Sequence, residues 1–213
     1  MICAGAMLLG TSNAFPQQGA KPPGRLNDAQ KMAMTSLPVM PWLSIKQTHI
    51  TSAQAKAQVI ASSTPGVLNQ QADSEITGGA SITLALGAGN GLLGEKGFRI
   101  LSMAFTPTGT LELVTFMFDR GWQDANIQPL LERVKRKYEI YADPELVMDG
   151  ESEASDRYYI FDIGRFVIEL SVPQHGSFIP VYFTTKETYR RMRMADSTYP
   201  LFEPILEKNL KLN

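Results

Sequence analysis

Residues 97–139, GFRILSMAFTPTGTLELVTFMFDRGWQDANIQPLLERVKRKYE, decide the fold, because they predict a strand, a turn, a second strand and a helix in direct succession. Residues 98–105 are rich in aromatic, β-branched and long apolar side chains, and 106–109 supply turn chemistry. The next run, 110–118, is almost continuously apolar, which is typical of a strand covered on both faces. A four-residue connection has hairpin length, so the two strands are predicted to pair antiparallel.

The helix of this stretch is predicted from its apolar spacing and from its two ends. Asp124 or Asn126 can cap its first turn, because a short side-chain oxygen accepts from free backbone amides. Positive side chains crowd its last turns, where they suit the helix dipole. The predicted buried face consists of Ile127, Leu130, Leu131, Val134 and Tyr138.

Outside this stretch the chain predicts further helices and strands. A helix over about 51–61 begins at Thr51 or Ser52, with Ala55, Val59 and Ile60 as its inner face. Residues 67–80 are predicted to be a polar loop, and 142–156 an acidic connector. The remaining predicted elements are strands over 81–86, 157–162, 165–172 and 178–184, with a hairpin around Ile163 and Gly164, and a helix over 186–195.

Together these elements predict an α+β fold, in which an antiparallel sheet of about six strands carries helices packed on it. Every strand-to-strand connection is short enough for antiparallel pairing. The order can also be divided into two halves, each a helix followed by a meander, although no residues match at a fixed offset.

The amino-terminal region predicts export. Residues 1–14 combine a short apolar run with small residues at 12 and 14, which is typical of a signal peptide cut after Ala14 and predicts a periplasmic or secreted protein. The basic start of such a peptide is missing, so either the true start lies upstream of Met1 or the resemblance is accidental, in which case the protein is expected in the cytoplasm. Residues 15–41 are rich in Pro and Gln and are predicted to be a linker or arm, so 42–213 form a single α+β domain.

Composition excludes some partners. The formal net charge of −1 provides no field that would gather nucleic acid, so no nucleic-acid partner is expected. No apolar run reaches the length of about 20 residues that a membrane-spanning helix needs, so no span is expected in the mature chain.

One glycine motif matches a nucleotide-binding fingerprint in spacing alone. Gly89, Gly91 and Gly94 form a G-x-G-x-x-G after the 81–86 strand. In a dinucleotide site the third glycine opens a helix whose amino terminus faces the pyrophosphate, whereas here a strand follows. We therefore expect a hairpin loop and no bound cofactor.

Catalytic and metal-binding patterns are weak. His49 and His175 stand far apart without ligand spacing, so neither a metal site nor a catalytic histidine is predicted. There is no Gly-x-Ser-x-Gly elbow, and Cys3, the single cysteine, lies in the signal-like segment. No catalytic residue is therefore assigned.

A basic cluster on the last predicted helix is the candidate partner-binding surface. It consists of Tyr189, Arg190, Arg191 and Arg193. We select it because arginine beside an aromatic ring is a frequent binding hot spot. The alternative is the solvated face of a helix whose Tyr189 packs inward.

The leading functional hypothesis is an exported, non-enzymatic domain that binds a protein or another component of the bacterial cell envelope. A hydrolase with a cryptic carboxylate or arginine site is one alternative, and a structural subunit of an envelope assembly is another. A pocket in which two of five residues converge would favour the enzyme; they are Glu112, Asp119, Asp162, Arg165 and Glu169.

Overall fold

A computed structural model describes residues 35–86, 91–121, 125–138, 145–148 and 156–194. Ten strands and three α-helices lie in these ranges: β1 (Leu37–Met40), β2 (Leu43–Ile45), α1 (Ile50–Ser63), β3 (Val67–Asp73), β4 (Ala80–Leu86), β5 (Phe98–Phe105), β6 (Leu111–Asp119), α2 (Ile127–Tyr138), β7 (Glu145–Met148), β8 (Arg157–Ile163), β9 (Phe166–Val172), β10 (Phe178–Thr185) and α3 (Lys186–Met194).

Eight strands form one antiparallel sheet in the order β3-β4-β5-β6-β10-β9-β8-β7, while β1 and β2 form a separate hairpin. Two meanders, β3 to β6 and β7 to β10, therefore meet through their last strands at the centre of the sheet. Each meander is preceded by a helix, α1 or α2, as the two-halves interpretation predicts. The predicted α+β class and antiparallel sheet are confirmed, with eight strands instead of about six.

Side chains alternate between the two faces of the sheet along each strand, and the strand register shows which residues share a face. Phe183 lies opposite Val114 and Ile168, and these residues join α1, α2 and the β1–β2 hairpin in the main hydrophobic core. We call this side the two-helix face. The neighbouring residue Tyr182 lies opposite Glu169, on the side where Tyr189 of α3 packs; we call it the α3 face.

The central stretch folds as its sequence predicts. The turn at 106–109 is closed by a bond from the Gly109 amide to the Thr106 carbonyl, and β5 pairs with β6. All five predicted apolar positions of α2 are buried. The hairpin at Gly164, the last strand and the last helix also agree with prediction within a few residues.

Three local predictions are wrong or incomplete. The predicted polar loop at 67–80 contains β3, an edge strand whose solvent exposure permits the polar sequence that hid it. The acidic connector contains the short strand β7. Residues 37–40, which fall in the predicted arm, form β1 and bury Leu37 and Val39 in the core.

The inner face of α1 also differs from prediction. Ala53, Ala57 and Ile60 are buried, whereas Val59 is exposed and Ala55 faces solvent. The small side chains of Ala53 and Ala57 allow α1 to pack close to the sheet, and the helix is turned so that Val59 lies on the solvent side. The cap is His49, whose ring accepts from the Thr51 amide, and not Thr51 or Ser52.

Several predictions lie outside the described residues. They are the signal-like segment at 1–14 with Cys3, most of the arm, the Asp124 cap and the first two residues of the glycine motif. Asn126, the other candidate cap, uses its side-chain amide to donate to the Asp119 carbonyl.

Candidate functional site: an apolar cleft between α2 and the sheet

A cleft of about 210 Å³ opens between α2 and the two-helix face. Its floor comes from β5, β6 and β10, one wall from α2, and its lip from the end of β1. The lining residues are Val39, Met40, Pro41, Glu95, Phe98, Phe116, Phe118, Leu130, Arg133, Val134, Lys137, Tyr138, Val181 and Phe183.

The floor is an aromatic cluster fixed by strand register. Phe98 and Phe118 are register partners whose ring centroids lie 5.0 Å apart, and Phe98 is equally close to Phe116. Phe183 continues the cluster, with centroids 5.1 Å from Phe116 and 5.8 Å from Tyr138. Phe116 and Phe118 remain only partly buried, so the floor keeps apolar surface accessible.

The lip is tied to α2 by two hydrogen bonds. The Tyr138 hydroxyl donates to the Pro38 carbonyl at 2.9 Å, and the Lys137 ammonium donates to the Val39 carbonyl at 2.5 Å. These bonds give two backbone carbonyls of β1 a partner, and apart from charged side chains the lining of the cleft is mainly apolar.

Two cations one helical turn apart stand at the rim, and they differ in their partners. Arg133 forms an ion pair of 2.6 Å with Glu95. Lys137 has no carboxylate partner in the described part of the chain; its ammonium lies 5.2 Å from the Tyr138 ring centroid. Partial burial of this ammonium lowers the Lys137 pKa below 10.5.

A polar network of different character lies on the α3 face. The fully buried Glu169 carboxylate accepts from the Tyr189 hydroxyl and forms an ion pair with Arg193. The Arg193 guanidinium also lies 5.1 Å from the Tyr158 ring centroid and 5.7 Å from that of Tyr189. This network attaches α3 to the sheet.

Burial and the Glu169 charge together shift the pKa values in this network. Desolvation and then the nearby carboxylate raise the pKa of Tyr189 and of Tyr182 above 10.0. Desolvation acts to lower the Arg193 pKa, but attraction to Glu169 and Tyr189 outweighs it, so the pKa rises.

The network divides the predicted partner-binding cluster. Tyr189 is fully buried and the Arg193 side chain is largely buried, both engaged with Glu169. Arg190 is half-buried, and the exposed Arg191 donates to the Thr188 hydroxyl at 3.1 Å. The four side chains therefore do not form one surface, and partner binding by Arg190 and Arg191 stays a prediction.

The carboxylates considered for catalysis are held apart in separate contacts. Glu112 pairs with Lys46 and accepts from the hydroxyls of Thr185 and Thr188. Asp119 pairs with Arg99 at 2.7 Å, and Asp162 with Lys186 at 2.6 Å.

None of the five residues named for a cryptic enzyme site lines the cleft. The convergence of two of these residues that would favour an enzyme is therefore not found in this cleft.

The other sequence candidates occupy ordinary positions. His175 is exposed in the β9–β10 connection, and Leu92–Gly94 form a single 3₁₀ turn that is followed by β5. Among the described residues no group of three or more His, Cys, Asp or Glu side chains is placed to hold a metal ion. None of the described helices is long and apolar enough to cross a membrane.

Sequence reasoning did not identify the cleft. It assigned Arg133 and Lys137 to the helix dipole and residues 39–41 to the arm. Two features of the sequence could have indicated it. Phe116 and Phe118 are two positions apart and so share one face of β6, and the helix that follows carries cations four positions apart.

The chain matches no protein-family model, no curated protein and no solved structure.

Proposed function

We propose that the protein is an exported, non-enzymatic binding domain of the cell envelope, and that it holds an apolar part of an envelope component in the cleft beside α2. The observation that carries the proposal is the open aromatic floor next to Lys137, a cation without a carboxylate partner in the described chain. Accessible apolar surface in a concave site is typical of binding sites.

The volume of the cleft favours a narrow ligand. At about 210 Å³ it is smaller than the roughly 300–1,000 Å³ of pockets for drug-sized molecules. It therefore suits one apolar chain or one large side chain, with the remainder of the ligand outside.

Export is supported by the sequence at 1–14, with its apolar run and small residues before Phe15. Fractionation followed by amino-terminal sequencing tests it, and we expect a mature chain beginning at Phe15. An intact Met1 in the cytosol would contradict export.

Binding in the cleft is tested by filling it. Val134 lines the cleft, so Val134→Phe adds volume there, while Arg136→Gln changes an exposed residue of the same helix that does not line it. Extracted envelope components would be passed over each immobilised protein and quantified by mass spectrometry. We expect the retained components to be lost with Val134→Phe and kept with Arg136→Gln.

A second filling variant, Met40→Phe, approaches the same space from the lip. Circular dichroism and thermal melting establish that each variant is folded. If folded variants with a filled cleft retain the same components as the unmodified protein, the cleft is not the binding site.

A further inference from the structure

This inference rests on the proposed function and specifies its ligand. We infer that the cleft binds a single-chain fatty carboxylate, with the hydrocarbon chain on the aromatic floor and the carboxylate at Lys137.

The hydrocarbon part follows from the size and lining of the cleft. A volume of 210 Å³ equals that of about seven water-sized groups at roughly 30 Å³ each, and a methylene group is of similar size. A chain of about seven or eight carbons therefore fills it, and the open mouth lets a longer chain continue outward. Phe116 and Phe118 supply partly exposed ring surface for this contact.

Backbone hydrogen bonding favours an acyl chain over a peptide. The floor strands β6 and β10 are paired on both sides within the sheet. At the lip, the carbonyls of Pro38 and Val39 already accept from Tyr138 and Lys137. A peptide main chain placed in the cleft would therefore bury polar groups without partners, which is costly, whereas the hydrocarbon part of a fatty carboxylate has no polar groups to satisfy.

The head group follows from the charges at the rim. The Lys137 ammonium has three donors, of which one bonds Val39, and no acceptor among the described residues takes the other two. Arg133, one turn away, is already paired with Glu95. One cation without a carboxylate partner suits a singly charged carboxylate, whereas phosphate groups are typically bound by clustered cations.

The experiment compares ligands that differ only in the head or the tail. Octanoate, octanol, octylamine and acetate would be titrated into the full chain by calorimetry, with amide chemical-shift mapping by NMR. We expect octanoate to bind most tightly and to shift residues of α2 and β6, octanol to bind more weakly, and acetate and octylamine not to bind.

Lys137→Met tests the head group, because it keeps an apolar stem of similar length and removes the charge. Its matched control is Arg136→Met, a cation beside it that does not line the cleft. We expect octanoate affinity to fall about 10- to 100-fold with Lys137→Met, as for loss of a hydrogen bond to a charged group. Octanol affinity should stay unchanged, and Arg136→Met should leave both affinities unchanged.

Two further ligands separate the remaining possibilities. If an acidic peptide with one Phe side chain binds in the cleft and octanoate does not, the fatty carboxylate is overturned and the proposed function still stands. Octyl phosphate binding more tightly than octanoate would overturn the carboxylate head. If no ligand binds and filling the cleft leaves the retained envelope components unchanged, both proposals fall.

Discussion

The helices α2 and α3 each follow the last strand of a meander, yet they are attached to the sheet by different chemistry. The buried side of α2 consists of apolar side chains, with the Tyr138 hydroxyl bonded to β1 at its end. The buried side of α3 is polar: Lys186 pairs with Asp162, and Tyr189 and Arg193 contact Glu169.

The difference has a physical consequence. Apolar contacts are non-directional, so α2 can leave a cleft beside it without leaving a polar group unsatisfied. Hydrogen bonds and ion pairs require fixed geometry, so the α3 contact specifies one placement of the helix. The side built from apolar contacts is therefore the one that has room for a ligand.

The largest expected effect is on the α3 side. Glu169→Ala would remove the buried carboxylate that accepts from the Tyr189 hydroxyl and pairs with the Arg193 guanidinium, which should cost about 3–5 kcal/mol of unfolding free energy. Urea denaturation followed by circular dichroism measures it.

The control replaces the whole network by apolar residues of similar size: Glu169→Leu, Tyr189→Phe and Arg193→Met. Since the triple variant removes both buried charges of this network together, we expect it to recover most of the loss. A cost below about 1 kcal/mol for Glu169→Ala would show that the network does not hold α3 in place.

The next effect is on the α2 side. Leu131→Ala removes a buried side chain from the main core and should cost about 2–5 kcal/mol. The exposed neighbour Glu132 provides the control, because Glu132→Ala should stay within about 0.5 kcal/mol. An equal effect of the two substitutions in urea denaturation would show that the buried face of α2 is misassigned.

The two sides should also respond differently to alkaline pH. The pKa values of Tyr182 and Tyr189 are raised above 10.0 in the folded protein, so their contribution is fully present below pH 10 and is lost as pH rises further. We expect the unfolding free energy to fall above pH 10, and to fall less in a variant with Tyr182→Phe and Tyr189→Phe. Identical pH profiles for the two proteins would contradict this.

The smallest effect has the opposite sign and comes from Lys137. Its pKa is lowered below 10.5, so the folded state disfavours the charged form, and this penalty disappears as pH rises through 10.5. The unfolding free energy of the unmodified protein minus that of Lys137→Met should therefore increase from pH 8 to pH 11. Because Lys137 is partly exposed, solvent screening keeps the change small. A decrease over this range would contradict the assignment.

The buried face of an element could be predicted from the sequence where a single hydrophobic pattern dominates. In α2 the apolar residues recur at helical spacing among charged ones, and all five predicted positions are buried. In α1 the alternating residues Ala53, Ala55 and Ala57 form no distinct stripe, so the buried side was decided by packing against the sheet. In β3 both faces carry polar residues, because an edge strand needs little burial. The sequence therefore lacks the apolar–polar alternation that would have predicted a strand.

The cleft could not be predicted, because it is a product of tertiary structure. Its wall and most of its floor come from the successive elements β5, β6 and α2, but its lip comes from β1 and the rest of its floor from β10, which are distant from them in sequence. Lys137 and Val39, for example, are 98 positions apart. No local pattern records which of these segments will face each other.

The pairing of β6 with β10 has a consequence for the order of folding. Within the described sheet it is the one pairing between strands that are not neighbours in sequence, and the Thr184 hydroxyl reaches the Glu112 carbonyl across 72 positions. Closing so large a loop costs more conformational entropy than forming a hairpin and is therefore slower. We expect the two meanders to form first and to join last. Since the cleft floor spans both β6 and β10, the binding site comes into existence only at that final step, and ligand binding can report on its completion.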